Sequence, residues 1–198
     1  MLLSRRILFA LILLLIIINL DHIGRFFYPF SHHDLIVRNA KKYNLDSCLL
    51  AAVIKTESNF NARALSDQGA MGLMQIMPET GKWVADQIGL KGYSADKLYD
   101  PETNILIGAW YLSSLNEEFG GNKVLVLAAY NGGSGNVKKW LQSEKLSGSQ
   151  TDITFLPYPE TRHFVRKVIR NHKIYSLLYG SQEKPETTAV RQTGGVKR

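Results

Sequence analysis

A mainly α domain with little or no β-sheet is the fold class predicted by the 198-residue sequence. Three observations lead there. Between the two ends, apolar residues recur at helical spacing. The period-2 alternation of a half-buried strand is almost absent. Asp and Asp-Pro stand at the starts of apolar-periodic stretches, where helices are capped. The length allows one domain with its own hydrophobic core once the ends are set aside.

The first twenty residues, MLLSRRILFALILLLIIINL, place Arg5 and Arg6 ahead of an unbroken apolar run over 7–18. That is an export pattern. The run is shorter than the roughly 20 residues of a spanning helix, which favours a signal peptide. No small-x-small cleavage site follows it, which favours retention. Retention is the expectation. Residues 1–29 then form a signal anchor or signal peptide with a short linker, and residues 5–28 meet the membrane, with Phe26, Phe27 and Tyr28 as an interfacial aromatic group. The arginines stay inside and the chain crosses once, with its domain outside the cytoplasm. Secretion after cleavage is the alternative.

The domain is expected over 30–180. A first helix spans about 31–43 and a second, capped by Asp46, runs to Glu57. Pro78 opens a third. A fourth begins at Asp100-Pro101 and continues to about Phe119, apolar on most faces as a central helix is. Shorter helices follow over 123–130 and 135–141, and a long one over 160–179. Only the stretch around GLMQI is suited to a small piece of sheet. LQSEKLSGSQTDI, from Leu141, is a polar interruption of the kind that often borders binding sites. Residues 181–198 lack apolar periodicity and are expected to form a disordered polar tail.

Composition excludes several functions. One cysteine, Cys48, rules out an internal disulfide, and its apolar neighbours mark it as a buried side chain. The five histidines show no ligand spacing, so neither a metal nor a cofactor is implied. The formal charge of +7 is concentrated at the ends, and no recognition motif accompanies the basic cluster Arg162, Arg166, Lys167, Arg170 and Lys173. Nucleic acid is therefore not an expected partner. The cluster is a solvated helix face or a means of staying near an anionic polymer.

In the second helix Leu50, Val53, Ile54 and Glu57 fall at i, i+3, i+4 and i+7, so a carboxylate shares the apolar stripe. Burial and the helix C-terminus both disfavour its charge. A carboxylic acid kept neutral near pH 7 can give the departing oxygen its proton when an acetal C–O bond is cleaved. A buried ion pair with an arginine is the other reading. SDQGAMGLMQIMPET sets polar Gln75 between Met74 and Ile76 beside two glycines and looks like a substrate-facing loop, although Met71 and Met74 are ordinarily core residues. In AAYNGGSGNV, Asn131 and its glycines stop a helix and present Tyr130 at its end.

Together AAVIKTESNFNARALSDQGAMGLMQIMPET, DPETNILIGAWYL, AAYNGGSGNV and PYPETRHFV resemble the catalytic domain of the soluble lytic transglycosylases (SLT), in the lysozyme-like superfamily that includes goose-type lysozyme. The resemblance covers about residues 35–179 and implies a lysozyme-like single domain. It implies peptidoglycan glycan strands as substrate, with cleavage of the β-1,4 bond between N-acetylmuramic acid and N-acetylglucosamine and a 1,6-anhydro end. By motif position Glu57 is the single acid/base. Ser66, Met74 and Gln75 line the sugar sites, Tyr130 lies against the acetamido group or the reacting ring and Glu160 closes the cleft. Ser58 and Asn131 support Glu57 and its loop. A hydrolase on the same fold and a non-catalytic peptidoglycan-binding or scaffold protein stay open as alternatives.

Overall fold

The computed structural model describes residues 2–143 and 153–180, with side chains from residue 7 onward. The expected tail over 181–198 and most of the polar interruption after Leu141 lie outside the described residues.

The apolar N-terminus forms two helices, α1 (Leu2–Ile18) and α2 (Leu20–Phe27), instead of one. They bend by 59° at Asn19. There the Asn19 side chain donates to the Leu15 carbonyl at 2.8 Å, and the Asn19 amide is shared between the Leu15 and Ile16 carbonyls at 3.1 Å each. Among the described residues no single helix is long and apolar enough to cross a membrane, whereas the bent pair meets that test together.

Helix α3 (His33–Lys42) precedes α4 (Ser47–Glu57). Asp46 caps α4 as its sequence position predicts, its carboxylate accepting the Leu49 amide at 3.0 Å. Every α4 residue from Ser47 to Ile54 is buried, Cys48 included. Helix α5 (Pro78–Gln87) starts at its proline. A short 3-10 helix, Ala95–Tyr99, leads to α6 (Pro101–Glu118), which Asp100 caps by accepting the Thr103 amide. Helices α7 (Lys123–Gly132), α8 (Ser134–Gln142) and α9 (Pro159–Tyr179) complete the fold. The start of α8 at Ser134 brings Asn131 and Gly132 into the last turn of α7, with Gly133 (φ +85°) alone between the two helices.

Helix α9 packs along α4 and α7, while α6 meets α3, α5 and α7. The core runs through all of these, and α7 contributes every residue from Val124 to Ala129. The stretch around GLMQI forms no strand. Isolated bridges pair Leu65 with Met71 and Met71 with Ile76, enough to fold the loop back on itself.

The N-terminal segment is packed onto this body. Arg25 donates to the Leu178 carbonyl and lies 4.5 Å from the centre of the Tyr179 ring. Tyr175 and Tyr179 donate to the carbonyls of Pro29 and Tyr28 at 2.9 and 2.8 Å. Phe30 packs edge-on against both rings. These contacts run across the expected boundary at residue 29.

Candidate active site

Glu57 is the last residue of α4, at the point where the apolar stripe of that helix meets a cleft. The cleft encloses about 530 Å³. Its walls include Tyr28, Lys55, Ser58, Gln75, Lys167 and Arg170. Burial pushes the Glu57 carboxyl up to about 8; the Lys167 ammonium opposes this and the Glu160 carboxylate reinforces it. Removal from water thus outweighs the attraction of a nearby cation, and the acid is neutral at pH 7.

The loop after α4 is fixed from several sides. Ser58 donates from Oγ to the Leu73 carbonyl at 2.8 Å, tying the residue after Glu57 to the GLMQI turn. Gln75 has φ +48° and donates from Nε2 to the carbonyls of Gly72 and Ala64 at 2.9 and 3.2 Å. Ser66 accepts the Ala70 amide at 2.9 Å and closes the outer turn. Buried Asn104 of α6 holds the base of the loop: Oδ1 accepts the Met74 amide at 2.8 Å, and Nδ2 donates to the carbonyls of Met71 and Leu98. Gly72, at φ +75°, passes so close that a Cβ there would lie 2.1 Å from the Leu98 carbonyl oxygen. Only glycine fits both the angle and the space.

Tyr130 stands at the end of α7 and donates to the Met74 carbonyl at 2.8 Å. Its ring lies parallel to Phe164 at 6.3 Å. Burial raises the phenol well above its ordinary value, with Glu57 and Tyr111 adding to the effect, so it acts as a neutral donor beside the acid. Glu160 and Asn131 line a second recess of about 350 Å³ with Tyr158 and Thr161.

The family model of the transglycosylase SLT domain matches residues 34–153. The chain belongs to this family. It is 34% identical over 178 residues to the soluble lytic murein transglycosylase of Escherichia coli K12, covering 88% of this chain and 27% of that protein. The Salmonella typhimurium counterpart is 34% identical over 167 residues, covering 82% and 25%. Among solved structures, an inactive mutant of lytic transglycosylase Slt from Pseudomonas aeruginosa matches with a TM-score of 0.71 at 36% identity, over 78% of this chain and 25% of that one. The 70 kDa soluble lytic transglycosylase of Escherichia coli matches at 0.73 and 32%, over 79% and 26%, and its complex with bulgecin A matches equally. The chain spans about a quarter of the length of these relatives.

Within this SLT fold, Glu57, Ser58 and Gln75 share one cleft, and Tyr130 reaches the same loop through its hydroxyl. Glu160 and Asn131 lie in the neighbouring recess, with Glu160 near enough to influence Glu57 electrostatically. Met74 differs from the expectation. Its side chain is fully buried against Gly108, because close packing of the loop onto α6 draws it inward, and only its backbone faces the Tyr130 hydroxyl. Met77, three residues on, is 37% exposed. Sequence reasoning also missed Asn104 and the aromatic residues Trp83, Trp110 and Tyr111, which join Tyr130 ring to ring at 5.2–6.2 Å, and it read Lys167 only as part of a basic helix face. A polar residue inside the apolar α6 was the available signal for Asn104.

Proposed function

We propose that the chain is a peptidoglycan lytic transglycosylase that cleaves the β-1,4 bond between N-acetylmuramic acid and N-acetylglucosamine, with Glu57 as its single acid/base. The observation that carries the reading is a carboxyl at a cleft wall that burial keeps protonated up to about pH 8. The neutral acid gives its proton to the glycosidic oxygen as the bond to the anomeric carbon breaks. The carboxylate then takes the proton of the muramic 6-hydroxyl as that oxygen attacks the same carbon. Glu57 returns to its starting state, no water is consumed, and a 1,6-anhydro end remains. The substrate's own acetamido oxygen steadies the anomeric cation, the task of a second carboxylate in ordinary glycosidases.

The roles of the neighbours follow from position. Ser58 and Asn104 hold the loop, Gln75 and Ser66 face sugar, Tyr130 lies beside the reacting ring, and Asn131 and Glu160 bound the next recess. The bent pair α1 and α2 keeps the chain at a membrane with the domain outside the cytoplasm, and fractionation of cells with N-terminal sequencing tests it. Family membership and the murein relatives support the substrate.

Mass analysis of sugars released from purified peptidoglycan by the full chain in mild detergent tests the reaction. Anhydromuropeptides from the parent and none from Glu57→Gln are expected. Products heavier by one water would assign the protein to the hydrolases, and undiminished release by the variant would discard Glu57.

A further inference from the structure

Helix α2 is divided lengthwise between two kinds of surface. Gly24, Arg25 and Tyr28 fall at helical spacing and meet α9. Gly24 runs so close to it that a Cβ there would lie 2.8 Å from a methyl of Leu178. Arg25 pairs with Asp21 at 2.9 Å and also reaches the Leu178 carbonyl and the Tyr179 ring, so the charge of α2 is satisfied on this side. Tyr28 packs edge-on against Tyr175 and donates to Asn171. The side away from α9 carries Leu20, Ile23, Phe26 and Phe27, all of them exposed, Phe26 by 78%.

This apolar stripe continues from α1, whose residues from Ile7 to Ile18 are all apolar and all exposed. A helix that is apolar all round belongs inside an apolar medium. A second copy of the chain would cover one of its faces, whereas lipid hydrocarbon surrounds every one. The 17 residues of α1 span about 26 Å, close to the roughly 30 Å of a hydrocarbon core. With α1 along the bilayer normal, the 59° bend leaves the eight residues of α2, about 12 Å long, rising only about 6 Å. That is the depth of roughly 5–10 Å at which amphipathic helices lie in the boundary between headgroups and acyl chains.

We infer that Leu20, Ile23, Phe26 and Phe27, extended by Leu177 of α9, form a lipid-facing surface that lays the folded domain on the bilayer in one orientation. The inference rests on the proposed membrane attachment through α1 and α2. Leu177 stands beside the Leu178 that meets Gly24 and is 83% exposed, more than any other large apolar side chain described. The bonds from Arg25, Tyr175 and Tyr179 leave no free linker between stripe and domain. Tyr28, one residue past the stripe, is a wall of the Glu57 cleft. The cleft therefore opens at a set height above the lipid.

Quenching by nitroxide-bearing lipid tests the inference, with the full chain inserted into vesicles of phosphatidylethanolamine and phosphatidylglycerol. A thiol-reactive fluorophore is placed by Ile12→Cys in α1, Phe26→Cys in α2, Leu177→Cys in α9 or Lys91→Cys in the exposed loop after α5, the parent with its buried Cys48 serving as the blank. Nitroxide near the headgroups should quench the labels at 26 and 177 about threefold or more above the label at 91, while nitroxide deep in the acyl chains quenches the label at 12. Adding Ile23→Ser and Phe27→Ser should return the label at 177 to the level of the label at 91 and leave the label at 12 quenched. Equal quenching at 177 and 91 beside a quenched label at 12 overturns the inference and leaves the attachment standing, as does quenching at 177 that survives loss of the stripe. A label at 12 that no lipid quenches removes the attachment and the inference together. Shielding of the label at 26 that grows with protein concentration and not with lipid gives the stripe to a second copy and also overturns it.

Discussion

Replacing Glu57 with glutamine should abolish cleavage and also make the protein more stable. In the unfolded chain this carboxyl ionises at its ordinary value of 4.5, while in the fold burial holds it neutral up to about 8. The folded state therefore binds more protons than the unfolded state between these values, and stability falls as pH rises through that window. Below 4.5 both states are neutral and nothing is lost. Linkage gives a cost of about 3 kcal/mol near pH 7 and about 1 kcal/mol near pH 5. Glutamine has nearly the same shape and no charge to suppress, so it removes the cost. For a domain of this size that corresponds to a rise in melting temperature of roughly 6–12 °C at pH 7, shrinking toward zero near pH 4. The assay is thermal unfolding of parent and variant, followed by far-ultraviolet circular dichroism in mild detergent from pH 4 to 8. A variant no more stable than the parent at pH 7, or a gain independent of pH, would refute the claim that burial keeps Glu57 protonated.

Cleavage by the parent should hold steady below pH 8 and fall about tenfold per pH unit above it as Glu57 loses its proton, which a pH-rate profile measures. Asn104→Ala removes three hydrogen bonds and strands the Leu98 carbonyl and the Met74 amide, while the Met71 carbonyl keeps the Ile76 amide. Denaturant unfolding should show a loss of about 3 kcal/mol or more. Tyr130→Phe keeps the ring and removes only the bond to the Met74 carbonyl. A loss of about 1 kcal/mol in denaturant unfolding is expected.

The helices were legible because their starts carry chemistry. Asp46 and Asp100 accept the amides that their positions lead one to expect, and Pro78 and Pro101 occupy first turns. The Glu57 setting was legible too, since helical spacing alone puts its carboxyl in line with Leu50 and Ile54. Less was legible in the loop, where contacts from distant residues decide. Met74 and Met77 flank the same turn, and only the packing of α6 through Gly108 and Asn104 selects which one is buried. The basic cluster on α9 read as one surface, because the sequence does not show that Lys167 and Arg170 face Lys55 across the cleft. Composition likewise placed the end of the apolar leader at residue 29, whereas the side chains that dock there belong to α9, some 150 positions away.

That docking makes the place of any cut in the leader consequential. Severing the chain between α1 and α2 would spare Arg25, Tyr28 and the Pro29 carbonyl, and with them the hydrogen bonds accepted from Tyr175 and Tyr179. Severing it one helix later, at residue 30, would strip Tyr28 from the cleft, leave Lys55 without the Phe27 carbonyl and bare the tyrosine faces of α9 to water. Two shortened forms differing by about ten residues would then behave as different proteins, one intact and one missing part of its wall.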